Sequence, residues 1–229
     1  MKKKVIIIVS VILVMSVMGL ILIFLKNDEL INSLTDDEIR FKEEYEKLNG
    51  VDSSDNILLK TIEIDSDNNV KYVTDGEIVK LLTNGTNVIY FGWADCNWCR
   101  TILPVLIPTL KENSIDTLYY YDFKDLRDAY LNEDEEKSII YENIISVIGD
   151  RIETTYDEND LRSGEKKILA PTVVFIKNGE FIGLHSKTVD SHIDANEELS
   201  LEESMELKQK YLNYIDIMNA NVCVTDEGC

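Results

Sequence analysis

Two cysteines at Cys-x-x-Cys spacing, Cys96 and Cys99, follow directly on the apolar β-type run 88–91 and open a helical pattern. A strand that feeds such a pair into a helix sets the first thiol at the helix N-terminus. Unpaired N–H groups and the positive end of the helix dipole stabilise a thiolate there. The arrangement points to thiol–disulfide chemistry, with Cys96 as the nucleophile and Cys99, one turn on and more buried, as the resolving thiol. By charge, the neighbouring Asp95 opposes the thiolate and Arg100 favours it. Two other readings are weighed. One is a static structural disulfide. The other is half of a zinc site, which would require Cys223 and Cys229 to converge on the first pair, although five residues separate them where two to four are usual.

The chain has 229 residues with 45% hydrophobic content, enough for one ordinary domain and an extra segment. That segment lies at the start. After the basic tail 1–4, with Lys2, Lys3 and Lys4, residues 5–25 carry no charge and are apolar but for Ser10, Ser16 and Gly19, and a run of 21 such residues suffices to span a bilayer. A cleaved signal peptide would have a shorter apolar region and a small-residue cleavage site, which this stretch lacks. The expectation is a transmembrane anchor over 5–25, with the N-terminus in the cytoplasm and the remainder extracytoplasmic. Four of the 23 basic residues precede Asn27, leaving 19 against 43 acidic residues in the exported part, a net −24. Such a surface repels nucleic acid and anionic headgroups, so no nucleic-acid partner is expected. All four cysteines fall where disulfides persist.

Residues 26–56 read as a helical spacer and linker. Phe41, Tyr45 and Leu48 recur at helical spacing, Asn49-Gly50 is a stop signal, and this apolar stripe is also able to dock on the domain. The domain is expected over 57–229. Residues 57–64 alternate and read as a strand, and 70–73 as a second short one. Asp65, Asp67 and Asn69 have the spacing of a calcium loop, but Val70 replaces the required glycine and Glu77 falls one residue late, so a turn is expected. Thr74 and Glu77 have capping-box spacing before a short helix, and a nearly all-apolar strand at 87–91 leads to Cys96. A proline-containing helix, a tyrosine-rich strand at 118–123 and a helical insert over 124–170 come next. A hairpin turning at Asn178-Gly179 and a last helix capped by Ser200 and Glu203 complete the pattern.

This order resembles the thioredoxin superfamily. The matching positions are Phe91-Gly92-Trp93-Ala94 before Cys96, Pro104 five residues after Cys99, and Ala170-Pro171-Thr172-Val173 followed by Lys177-Asn178-Gly179. They span about 57–218. Within the superfamily the chain looks like membrane-anchored or lipid-anchored thioredoxin-like proteins of low-GC Gram-positive bacteria, among them bacteriocin transport accessory proteins. The implied fold is α/β, a thioredoxin-like central mixed sheet flanked by helices. The chain departs from thioredoxin in three places: Asn97-Trp98 replaces Gly-Pro, Tyr90 stands where a buried Asp accepts protons, and the insert lengthens one connection.

The resemblance implies a protein thiol–disulfide oxidoreductase using Cys96 and Cys99, with Pro171 a cis-proline that, with Ala170, presents backbone to a polypeptide substrate. Trp93 and Trp98 are candidates for an apolar rim around Cys96, or for core. No metal or cofactor is expected. The expected partners are protein thiols or disulfides and a membrane or extracytoplasmic redox partner. His185 and His192 belong to no catalytic constellation. Cys223 and Cys229 read as a structural staple of the tail or as a second redox pair. The competing function is a non-catalytic binding or accessory module for a secreted or surface protein.

Overall fold

The computed structural model describes residues 36–53, 57–132 and 134–220, together with Met18. The expected anchor at 5–25, Met18 aside, and the pair Cys223 and Cys229 lie outside the described residues. Among the described residues no helix is long and apolar enough to cross a membrane.

The architecture is α/β. In chain order the elements are α1 (Asp36–Glu46), β1 (Val70–Tyr72), α2 (Asp75–Thr83), β2 (Asn87–Gly92), α3 (Asn97–Glu112), β3 (Leu118–Asp122), α4 (Lys124–Leu131), α5 (Glu135–Ile148) with a 3-10 turn Gly149–Arg151, β4 (Thr172–Lys177), β5 (Glu180–Ser186) and α6 (Leu201–Asn219). The five strands form one mixed sheet in the order β1-β3-β2-β4-β5. β1, β3 and β2 run parallel; β4 is antiparallel to β2 and β5 to β4.

All six residues of β2 are buried, because helices cover both faces of the sheet. Successive side chains go to opposite sides, so Val88 and Tyr90 join one core and Ile89 and Phe91 the other. The first core takes in Phe41 and Tyr45 of α1, Ile102 and Leu106 of α3, and Leu207 and Ile215 of α6. The second is built from Ile78 and Leu82 of α2, Leu126 of α4 and Tyr141 and Ile144 of α5, so the insert completes a face of the sheet. Over Asp36–Glu46 the expected spacer is thus part of the domain: Phe41 and Tyr45 are wholly buried.

Local chemistry sets the element ends. The Glu77 carboxylate accepts from the Thr74 backbone N–H (3.0 Å) at the start of α2, and Ser200 and Glu203 form the reciprocal capping box of α6. Asn178 (φ 52°) and Gly179 (φ 80°) turn the β4–β5 hairpin with the positive φ values a tight turn needs. A Cβ at Gly179 would also press on the Thr83 carbonyl oxygen, so the position is closed to other residues twice over.

The expected strand at 57–64 is a correction. The segment is extended but joins no sheet; its one bridge is Asp52 to Leu58. Leu59 pairs with the backbone of Gly50 and Val51, and Ile57 with that of Ser53; the rest of the polar backbone from Leu58 to Ile64 is paired mainly by side chains of α1, of the turn after it and of α3. The N–H groups of Lys60, Ile62 and Ile64 donate to Asn97 Oδ1 (2.9 Å), Asn49 Oδ1 (3.0 Å) and Glu46 Oε1 (2.8 Å). The carbonyls of Leu58, Lys60, Ile62 and Ile64 accept from Asn97 Nδ2 (3.0 Å), Arg100 Nε (2.6 Å), Asn49 Nδ2 (2.9 Å) and Lys42 Nζ (2.6 Å). Buried backbone polar groups need partners, and side chains meet that need as a ladder would. The Asp65 and Asp67 carboxylates hold the Lys111 ammonium at 3.3 and 3.1 Å, which places a side-chain cation beside the turn expected there.

Candidate functional site

The end of β2 delivers the chain into α3 through Trp93, Ala94 and Asp95, and Cys96 is the N-cap residue of that helix. Its Sγ accepts from the Cys99 backbone N–H at 3.2 Å, satisfying one of the free donors of the first turn. The Cys96 thiol also points at the Ala170 carbonyl oxygen, 3.8 Å away. The Ala170–Pro171 peptide bond is cis, as the resemblance implied, and it leads into β4 beside the cysteine pair. Cys96 is partly exposed and Cys99 is fully buried; both are free thiols.

The two thiols are driven apart electrostatically. A hydrogen bond from the Cys99 thiol is the largest influence lowering Cys96 below the ordinary thiol value. Burial opposes this, the N–H groups of Cys99 and Trp98 support it, and the charge of Asp95 works against it. Burial pushes Cys99 well up, and the neighbouring Cys96 adds to the effect. The result is one thiol that ionises more readily than an ordinary thiol and one whose proton is held on.

The charged neighbours sort differently from their order in the sequence. Asp95 faces the site and pairs with Lys124 of α4 at 2.5 Å. Arg100 turns inward and is 1% exposed. Its guanidinium donates to the carbonyls of Lys60 (2.6 Å), Tyr45 (3.0 Å) and Ala94 (3.0 Å) and to the Asn49 side-chain oxygen, so it holds α1, the extended segment and the site loop together.

Of the expected rim residues, Trp98 is half-buried and stands edge-on to His192 at 5.4 Å, whereas Trp93 packs on Phe123 at 5.2 Å beneath the Arg127 guanidinium at 4.3 Å. Both still line a groove of about 220 Å³ that runs past Cys96 and is bounded by Ile57, Leu59 and Ala195. His192 is fixed by Thr188 Oγ1 (3.1 Å) and the Glu197 carbonyl (3.0 Å), and His185 by the Thr188 carbonyl (2.6 Å). Among the described residues no group of three or more His, Cys, Asp or Glu side chains is placed to hold a metal ion.

Two residues that the sequence marked only as departures from thioredoxin, Asn97 and Tyr90, take part in the structure around the pair. Asn97, between the cysteines, is buried and clamps the 58–60 backbone as well as Asn196 Oδ1 (2.8 Å), so one side of the groove is tied to the first residue of α3. Tyr90 shares a core with Cys99 and, from within the apolar run of β2, sets its hydroxyl 2.9 Å from that of Tyr45. A polar residue inside a Cys-x-x-Cys was the available signal for the first; for the second the signal was a lone hydroxyl in an otherwise apolar central strand. No protein-family model matches the chain, and no curated protein is significantly similar to it.

Proposed function

We propose that this chain is a thiol–disulfide oxidoreductase of thioredoxin-like architecture that acts on protein cysteines through Cys96 and Cys99. The observation that carries the proposal is the division between the thiols: Cys96 is accessible and lowered at a helix N-cap, and Cys99 is buried and raised directly behind it. The sheet order β1-β3-β2-β4-β5 and the cis Ala170–Pro171 bond facing Cys96 support the thioredoxin-like reading. In the forward sense the Cys96 thiolate attacks a substrate disulfide, forming a mixed disulfide and releasing one substrate thiolate. Cys99 then attacks the Cys96 sulfur and releases the other, so the protein pair loses the two electrons the substrate gains. The reverse sequence oxidises a substrate dithiol.

Ala170 and Pro171 present backbone beside the reacting sulfur, and the groove past Trp98 receives the flanking chain of the substrate. Anchoring through 5–25, with the domain extracytoplasmic and served by a redox partner there, belongs to the same proposal. Its support is the uncharged 21-residue run after Lys2, Lys3 and Lys4.

The test is a Cys99→Ser variant expressed in cells. It is expected to accumulate mixed disulfides through Cys96 that reducing agent releases and that Cys96→Ser abolishes. If Cys99→Ser captures nothing under conditions in which the chain is stably expressed, the non-catalytic binding module is the better account.

A further inference from the structure

The insert that lengthens one connection also carries cations to the end of the sheet where the cysteines lie. After α5 the 3-10 turn leaves Arg151 exposed. The chain then runs out and back, with the Lys167 N–H donating to the Thr154 carbonyl (2.9 Å) and Thr155 bridged to Lys166. The returning arm leads through Leu169 into the cis Ala170–Pro171 bond, and the Ala170 carbonyl oxygen lies 3.8 Å from the Cys96 sulfur. From the end of β5, the Lys187 N–H donates to the Pro171 carbonyl at 2.9 Å. Lys187 thus stands beside the cis-proline, next to the reacting sulfur.

These residues frame a continuous cleft. Trp98 is common to the groove past Cys96 and to a neighbouring hollow of about 340 Å³; Ser186 and Lys187 are common to that hollow and to a third of about 320 Å³. Arg151, Lys167 and Lys187 all line the third hollow, together with the apolar Ile168, Leu169 and Leu184. Its charge runs against that of the molecule. Beyond Lys26 the chain carries 19 basic against 43 acidic residues, whereas here three cations meet one carboxylate, Glu153, and the adjoining hollow contributes Asp190. No ion pair among the described residues takes up any of the three cations. The Arg151 guanidinium lies 5.6 Å from the centre of the Phe181 ring and the Lys167 ammonium 5.1 Å from that of Tyr156, contacts that orient a cation without neutralising it. A concave site with uncompensated charge of one sign gathers ligands of the other.

We propose that this basic hollow receives acidic side chains of the substrate polypeptide, so that the site prefers cysteines with Asp or Glu close by, a preference that rests on the thiol–disulfide reading above. An extended chain advances about 3.4 Å per residue, which brings side chains about two to four positions from the reacting cysteine past Pro171 to Lys187. The surrounding surface favours a short acidic stretch over an extended polyanion. With 19 basic against 43 acidic residues, that surface repels nucleic acid and anionic headgroups, whereas a few carboxylates on one peptide engage the hollow alone.

The test uses the full, reduced chain in non-ionic detergent and short single-cysteine peptides whose cysteine is joined to thionitrobenzoate as a mixed disulfide. The second to fourth positions on either side of the cysteine are all Glu, all Gln or all Lys. The Cys96 thiolate attacks the peptide sulfur, the bond to thionitrobenzoate breaks, and the coloured thionitrobenzoate leaves with the electron pair. Each rate is divided by that of mercaptoethanol with the same peptide, which cancels the peptide's own reactivity. At low salt the Glu peptide is expected to react about fivefold or more faster than the Lys peptide, against the net charge of the molecule, and high salt is expected to narrow the gap. Lys187→Glu combined with Arg151→Glu should erase or invert that order. Lys80→Glu, a like change of charge beside Gly85 at the hairpin end of the sheet, keeps it. Glu and Lys peptides within about twofold of each other in wild type, or a faster Lys peptide, overturn the acidic preference and leave the oxidoreductase reading standing. A Glu preference that survives Lys187→Glu with Arg151→Glu also overturns the assignment to this hollow; should the double variant not fold, Lys187→Gln decides by the same ratio. A wild type that releases thionitrobenzoate from all three peptides no faster than Cys96→Ser overturns both readings.

Discussion

Cys96 owes its lowered titration chiefly to its partner, since the largest influence on it is the hydrogen bond from the Cys99 thiol. Removing that donor should raise the Cys96 value. In Cys99→Ala the pH–rate curve for alkylation of Cys96 by iodoacetamide is therefore expected to move to higher pH, so that at a fixed pH near neutrality the reaction is slower than in wild type. Cys99→Ser, which keeps a donor, should move it less. Superimposable curves for wild type and Cys99→Ala would assign the lowering to the helix N–H groups instead. At this scale the pair itself was legible, because a two-residue spacing after an apolar run is a local pattern. The inward turn of Arg100 was not legible, since its oxygen partners at Tyr45, Asn49 and Lys60 are 40 or more positions away. Tyr90 stood out as a departure from thioredoxin, but its hydroxyl partner was hidden, because Tyr45 lies 45 positions back.

Among the elements, the extended segment 58–64 shows what alternation reports. The pattern reads as a strand because Ile62 and Ile64 are buried while Thr61 and Glu63 are exposed, and that much holds. Period-two burial describes an extended chain with one covered side; it does not say what the backbone pairs with. Here Leu59 pairs with the backbone of Gly50 and Val51, and most other partners are the side chains of Asn97, Arg100, Asn49, Glu46 and Lys42, which no strand rule identifies. Asn97→Ala should therefore strand the Lys60 N–H and the Leu58 carbonyl, at a cost of roughly 1–3 kcal/mol. Urea unfolding should show the lower midpoint, and hydrogen exchange at the Lys60 amide should quicken beyond the global change. An unchanged midpoint would mean that water replaces the amide without loss. The helices were more legible, because capping pairs such as Ser200 and Glu203 act within one turn and carry their meaning locally.

For the molecule as a whole, the two cores on either side of the sheet explain why α1 is inseparable from the domain. Phe41 packs 4.6 Å from the Tyr45 ring and 4.9 Å from the Tyr120 ring, in the same core as the start of α3. Phe41→Ala is expected to cost about 3–5 kcal/mol, measured by denaturant unfolding of the full chain. A loosely attached spacer would leave the unfolding midpoint where it was. The heptad-like spacing of Phe41, Tyr45 and Leu48 revealed an apolar face but not its destination, because amphipathic periodicity says only that something covers the face.

The docking of α1 also limits where the site can travel. With α1 folded into the domain from Asp36 onward, the leash between the proposed anchor and the folded body shrinks to residues 26–35. Ten residues, even drawn out straight, reach about 35 Å. An anchor at 5–25, as proposed, would therefore confine Cys96 to a shell above the bilayer, and a substrate cysteine would have to reach it there, on a chain emerging from or held at the membrane.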